Sequence, residues 1–201
     1  MTAIIDYDAG NIKSVEKALR FLGEDAYITG DPEKILKADR VILPGVGAFG
    51  DAMEKLRRYG LDKTIYEVVR RKTPFLGICL GLQLLFESSE ECEGVKGLGI
   101  LPGRIARIPA APGLKIPHIG WNALSFPSPG KLFRGIPEQT YVYFVHSFYL
   151  QAQEEACVKA TTEYGVTIHA AVEKDNIFAC QFHPEKSSEA GLHILRNFLL
   201  Q

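Results

Sequence analysis

TPFLGICLGLQLLFE, Thr73 to Glu87, carries a short apolar run into a cysteine framed by two glycines and then into apolar residues at helical spacing. In Gly77-Ile78-Cys79-Leu80-Gly81 the glycines leave room for a tight turn from strand to helix, which lifts the central side chain clear of a sheet. The pattern is the cysteine form of the G-x-S-x-G nucleophile elbow. At the start of the following helix, unpaired backbone N–H groups and the helix dipole favour thiolate over thiol at Cys79. The amide of Leu80, next along, points to where an oxyanion forms on an attacked carbonyl. Cys92, Cys157 and Cys180 have no such frame and read as packing residues.

Upstream of the elbow, strand and helix patterns alternate. TAIIDY, AYIT, RVILP and PFLGIC are strand-like, and helical patterns separate them. NIKSVEKALRFL aligns Ile12, Val15, Leu19 and Leu22; PEKILKA opens on proline; FGDAMEKLRRY aligns Phe49, Met53 and Leu56; LDKTIYEVVRRK is a further helix. Short apolar runs joined by helices predict a parallel sheet covered on both faces. From Gly97 onward the pattern changes to strand candidates divided by proline and glycine: GILPGRIARI, HIGWNALSF, YVYFVHSFYL, CVKATTEYG, VTIHAAVEKD and NIFACQFH. That half is expected to be largely antiparallel, with GLHILRNFLL closing the chain as a helix. The fold class is therefore α/β, and no repeat or linker interrupts residues 1–201, which read as a single domain.

Composition narrows the function. The chain has 201 residues, 23 basic and 24 acidic, so no basic footprint for nucleic acid is present. No apolar stretch reaches the length of a membrane span and the start is not basic, which points to a cytoplasmic location. The four cysteines form no C-x-x-C pair, which argues against zinc or thioredoxin-type motifs, and no cofactor or metal is expected.

A thiolate nucleophile needs a base. His193 lies in the last helix, His169 in a strand-like stretch, and His118 and His146 beside aromatics without an adjacent carboxylate. His183, in CQFHPEKS, follows a strand and precedes a proline that keeps it extended, so His183 and Glu185 project to one side. Glu185 can hold one ring nitrogen and leave the other for Cys79, as in a Cys-His-acid triad. A further loop, PGVGAFG, matches G-x-G-x-x-G and so invites a dinucleotide-binding module. It follows the third strand rather than the first, and helical patterns fill the next 20 residues, where the fingerprint needs a strand ending on an acidic residue. Both loops leave the carboxyl edge of one parallel sheet, so the better use is to bring the N–H of Val46 or Gly47 beside the elbow as a second oxyanion donor.

With Cys79, His183 and Glu185 in that order and PGVG upstream, the chain resembles class I (triad) glutamine amidotransferases from end to end. Within them, DYDAGNIKSV, LPGVGAFGDAM, GICLGLQLLFESSEE, PHIGWN, YFVHSFY and CQFHPEKS look like the glutaminase subunits of imidazole glycerol phosphate synthases. Asp8 departs from the glycine usual in the opening turn. The resemblance implies a flavodoxin-like fold, with a largely parallel central sheet flanked by helices. It implies hydrolysis of L-glutamine through a thioester, with Gln83, Tyr143, His146 and Ser147 holding the substrate and Glu91 a weaker candidate. It also implies delivery of ammonia to a separate cyclase subunit in histidine biosynthesis, forming imidazole glycerol phosphate and an aminoimidazole carboxamide ribotide, with Asn11, Trp121 and Lys186 as contact residues. The expected assembly is a heterodimer. Service to another synthetase is the alternative within the same chemistry.

Overall fold

The computed structural model describes residues 1–10 and 12–201; the interface expectation for Asn11 falls outside them. Strands β1 (Thr2–Ile5), β2 (Ala26–Thr29), β3 (Arg40–Leu43) and β4 (Phe75–Ile78) alternate with helices α1 (Ile12–Phe21), α2 (Pro32–Lys37), α3 (Phe49–Arg58) and α4 (Leu61–Arg70), as the periodicities require. Local chemistry sets the boundaries. Asp31 accepts the Glu33 N–H at 2.9 Å as an N-cap and Pro32 opens α2, where its missing N–H costs nothing. After β4 come α5 (Leu80–Leu84), β5 (Ser88–Ser89), β6 (Gly103–Arg107), β7 (His118–Ala123), β8 (Tyr141–His146), β9 (Phe148–Ala152), β10 (Val158–Glu163), β11 (Thr167–Lys174), β12 (Ile177–Cys180) and α6 (Ser188–Leu199).

Seven strands form the central sheet in the order β10-β11-β12-β4-β3-β1-β2. The five from β12 to β2 run parallel, and β10 and β11 add antiparallel strands at one edge. Side-chain alternation divides the core. Ile5, Val41, Leu43, Phe75 and Ala179 face one side with α2 to α5, whereas Ile4, Ile42, Leu76, Phe178 and Cys180 face the other with α1 and α6. Each parallel strand is thus buried on both faces, which is why its sequence reads as a continuous apolar run.

The second half departs from expectation at one place. YVYFVHSFYL reads as one strand, yet it is two: β8 pairs with β7 in a ribbon, and β9 pairs with β6 in a three-stranded sheet with β5. The chain changes sheets at Ser147, whose carbonyl accepts the Ile108 N–H at 3.0 Å. Apolar and aromatic residues continue on both sides of that point with no proline or glycine between them, so no local signal marks the switch. The helix after Cys79 is also shorter than its apolar pattern, because the chain turns after Leu84 to reach β5. Among the described residues, no helix is long and apolar enough to cross a membrane.

Candidate active site

The elbow is held by close approach. A Cβ on Gly81 would stand 1.9 Å from the Leu43 carbonyl oxygen at the end of β3, so only glycine lets α5 start this near the sheet. Cys79 itself sits at φ 55°, ψ −110°, a conformation L side chains avoid, and its N–H donates to the Cys180 carbonyl of β12 at 2.8 Å. The sulfur therefore projects beyond the carboxyl ends of β4 and β12 into a cleft of about 280 Å³.

The PGVG loop packs against this turn. A Cβ on Gly45 would meet Tyr7 Oη at 2.6 Å and Leu80 Cβ at 2.8 Å, and Tyr7 Oη donates to the Pro44 carbonyl at 2.9 Å. Val46, Gly47 and Leu80 all line the cleft. Their N–H groups have no acceptor among the described residues, and Gly47 adopts φ 101°. Glu91 is more than a solvated loop acid. It lines the cleft and accepts the Phe49 N–H at 2.8 Å, capping α3 immediately after the PGVG loop. A carboxylate thus occupies the helix terminus at which a dinucleotide's pyrophosphate would sit.

His183 enters from the other side, 2% exposed, with Nδ1 2.8 Å from Glu185 Oε1. Glu185 reaches it from a single 3-10 turn, Pro184–Lys186, rather than from extended chain. His183 lines the same cleft as Cys79, and its Nε2 is buried without a protein hydrogen bond. Burial alone pulls the imidazole pKa down; the facing Cys79 sulfur and the Glu185 carboxylate outweigh it and raise it to about 9. Nε2 thus remains open toward the cleft that Cys79 also lines.

The remaining site candidates separate. Gln83, His146 and Ser147 line the cleft. Tyr143 does not: its ring stands edge-on to Trp121 at 6.2 Å and beneath Lys186 Nζ at 5.9 Å. Its backbone instead ties β8 to the catalytic loop, accepting the His183 N–H at 2.9 Å and donating to Ser187 Oγ at 3.0 Å. Trp121, 50% exposed, shares the outer face of the β7–β8 ribbon with Ile119 and Tyr141. Asp8 holds the left-handed conformation usually left to glycine, at φ 61°, with its carboxylate accepting the Tyr59 hydroxyl and its carbonyl accepting Lys55 Nζ at 3.1 Å. The opening turn is therefore pinned to α3.

Sequence reasoning missed Gln181, a fully buried amide whose Nε2 lies 3.7 Å from Cys79 Sγ. The signal was present as one amide inside the apolar run IFACQF. Val145 and Phe148 were also missed. They act through backbone carbonyls, which residue identity does not reveal. Among the described residues, no cluster of histidine, cysteine and carboxylate side chains is arranged to hold a metal.

A family model described as glutamine amidotransferase class-I matches residues 3–201. Imidazole glycerol phosphate synthase subunit HisH of Moorella thermoacetica is 56% identical over 196 residues, covering 98% of this chain and 92% of that one. The HisH subunit of Methanothermobacter thermautotrophicus is 52% identical, covering 99% and 98%. In fold, the structure of PurLQS from Thermotoga maritima superposes with a TM-score of 0.78 at 21% identity, covering 99% of this chain and 97% of that one. Another solved glutamine amidotransferase gives a TM-score of 0.76 at 20% identity, covering 98% and 97%. On the strength of the full-length match and the identity to both subunits, the chain belongs to the class-I glutamine amidotransferases, in the HisH family.

Proposed function

We propose that residues 1–201 act as one glutaminase domain, the subunit of an imidazole glycerol phosphate synthase that hydrolyses L-glutamine and passes ammonia to a cyclase subunit in histidine biosynthesis. The observation that carries the reading is the buried His183–Glu185 pair, whose free Nε2 faces the cleft that holds Cys79. The raised His183 pKa of about 9 supports an imidazolium at neutral pH, placed to hold negative charge on the facing sulfur once its proton has left. The thiolate attacks the side-chain amide carbon of glutamine, and the oxyanion that forms is met by the N–H of Leu80 and of Val46 or Gly47. Nitrogen leaves as ammonia after taking the proton from His183 Nε2, and a thioester to Cys79 remains. The now neutral imidazole accepts a proton from water, hydroxide adds to the thioester, and glutamate departs as the thiolate is restored. Glu185 orients the ring and stabilises its charge in both half-reactions. Gln83, His146 and Ser147 surround the substrate, and the exposed face with Trp121 and Lys186 meets the cyclase, in a complex assigned to the cytoplasm.

Cys79→Ala in the assembled complex tests the reading. Glutamine-dependent synthesis is expected to vanish while synthesis from free ammonium salts persists, because the sulfur serves only to liberate ammonia. Glutamate release that survives in the variant, or equal loss of both activities with assembly intact, would remove Cys79 from this role.

A further inference from the structure

We propose that Gln181 acts directly on the reacting sulfur, its side-chain amide donating to Cys79 Sγ in an orientation fixed by a chain of hydrogen bonds that begins on β7. The proposal rests on Cys79 being the nucleophile, as argued above. Gln181 lies just beyond β12, completely buried, with Nε2 3.7 Å from the sulfur. An amide can be turned either way, and only one orientation places a donor at the sulfur.

The neighbours decide that orientation. Gln83 Nε2 stands 3.0 Å from Gln181 Oε1 and 3.1 Å from the Phe148 carbonyl oxygen. A carbonyl only accepts, so Gln83 presents its NH₂ to Phe148, and the same nitrogen then meets Gln181. Turning Gln181 over would set two NH₂ groups against each other, so Oε1 faces Gln83 and Nε2 faces Cys79. The Phe148 oxygen is fixed in turn by His146 Nδ1 at 2.8 Å, which must carry the proton. His146 Nε2 is then an acceptor, and it lies 2.9 Å from His118 Nδ1, which must donate. His118 Nε2 is left to accept from Asn122 Nδ2 at 3.4 Å, and that nitrogen also donates to the Glu163 carbonyl at 3.0 Å. Burial keeps both rings neutral, lowering each pKa to about 4, so neither tautomer is lost to protonation at neutral pH. Every donor in the chain has one direction available; the Phe148 carbonyl and Gln83 set the Gln181 N–H at sulfur, and the two histidines hold that carbonyl in place.

The chain also explains why these groups are polar at all. Four of these polar side chains, Gln181, Gln83, His146 and His118, are buried, which is tolerated only when each is satisfied. An N–H aimed at sulfur stabilises thiolate more than thiol, because the bond becomes charge-assisted as the proton leaves. Thiol instead has only the Val145 carbonyl as a distant acceptor at 3.9 Å. Asn122 and His118 alternate along β7 with Trp121 on the outer face, so the chain begins on the strand that also carries the proposed partner surface.

The test is the pH dependence of alkylation of Cys79 by iodoacetamide, followed by peptide mapping, in the unmodified chain and in Gln181→Glu, Gln181→Met and His118→Phe. Gln181→Glu keeps the shape and the acceptor for Gln83 but sets a carboxylate, which itself disfavours thiolate, in place of the donor, whereas Gln181→Met removes the donor without adding charge; His118→Phe keeps the stack between Phe144 at 4.8 Å and Tyr164 at 3.8 Å. Both Gln181 variants are expected to raise the alkylation midpoint by on the order of one to two pH units, the scale of a charge-assisted hydrogen bond. In the complex with the cyclase they lower kcat for glutamine with little change in KM. His118→Phe moves the midpoint the same way by less. An unchanged midpoint in both Gln181 variants overturns the proposal, and an unchanged midpoint in His118→Phe overturns the orienting role of the chain behind Gln181. Should the variants not fold, the side-chain amide resonances of Gln181 in the unmodified chain must titrate with the Cys79 midpoint, and their indifference to it would overturn the proposal equally. Cys79→Ala separates this outcome from a wrong nucleophile, since alkylation reports on the amide and the sulfur whatever the sulfur's role.

Discussion

The two walls of the cleft are built from different parts of the chain and by different means. The wall from the parallel half offers backbone: the N–H groups of Val46, Gly47 and Leu80, brought together because Gly45 and Gly81 allow loops to touch where any side chain would collide. The wall from the second half offers side chains: His183, Glu185, Gln181 and His146, each buried and fixed by hydrogen bonds. Cys79, the proposed nucleophile, joins the two, following β4 with its N–H bonded to Cys180 of β12. Backbone donors are set by how closely loops approach, and side-chain acids and bases by what surrounds them. The two walls should therefore fail in different ways.

Removing a side chain from the second wall gives the largest effect. His183→Ala is expected to lower glutamine-dependent kcat by on the order of 10⁴, because proton transfer to the leaving ammonia and from the incoming water both pass through Nε2. Glu185→Gln retains part of the activity, since an amide still orients the ring but does not stabilise its charge. Single-turnover rates order the two. A Glu185→Gln rate equal to that of the unmodified protein would sink the assignment of Glu185 and leave His183 to be oriented by packing alone.

Disturbing the first wall should do less, and only to kcat. Gly45→Ala forces a methyl against Tyr7 Oη and Leu80 Cβ, so the PGVG loop is expected to lift from the elbow and carry one proposed oxyanion donor away. Loss of one such donor is worth on the order of a hundredfold in rate. Glutamine KM is expected to change little, because the proposed substrate residues His146 and Ser147 lie on the other wall and Gln83 is held by Phe148 and Gln181 of that wall. Equal damage to KM would mean that the loop holds substrate rather than transition state, and the contrast between walls would collapse.

The same contrast governs what the sequence could reveal. The parallel half was legible because one rule, apolar runs alternating with amphipathic helices, fixes strands, helices and the edge where loops emerge. Gly77 and Gly81 signalled the elbow because no other residue permits it. In the second half HPE was legible through spacing to a carboxylate, but the break between β8 and β9 at Ser147 was not, since no proline or glycine interrupts YVYFVHSFYL where the partners change. Tyr143 went to the outer face for the same reason: its motif marks the neighbourhood of the cleft, and only the strand's register decides which side chain turns toward it. Gln181 and the His118–His146 pair escaped because their partners are 28 to 102 positions away, or are carbonyls common to every residue.

The smallest expected effect probes the point where the walls meet. Cys79 holds φ 55°, ψ −110°, which for a residue with a Cβ stores about 1–3 kcal/mol that the surrounding turn must sustain. Replacing Cys79 by glycine releases that strain, at the cost of about 0.4–1 kcal/mol in unfolded-chain entropy relative to alanine and about 0.8 kcal/mol for a lost buried methyl group. These terms nearly cancel, so Cys79→Gly should be at least as stable as Cys79→Ala in urea unfolding. Ala179 supplies the control. It lies fully buried in β12, paired in register with Gly77, in ordinary strand geometry without strain to release. Ala179→Gly should therefore cost the full sum of about 1–2 kcal/mol. If glycine at position 79 costs as much relative to alanine as glycine at 179 does, the elbow stores no strain. The projection of the sulfur would then be a consequence of packing from β12, and the second wall would position the nucleophile as well as the base.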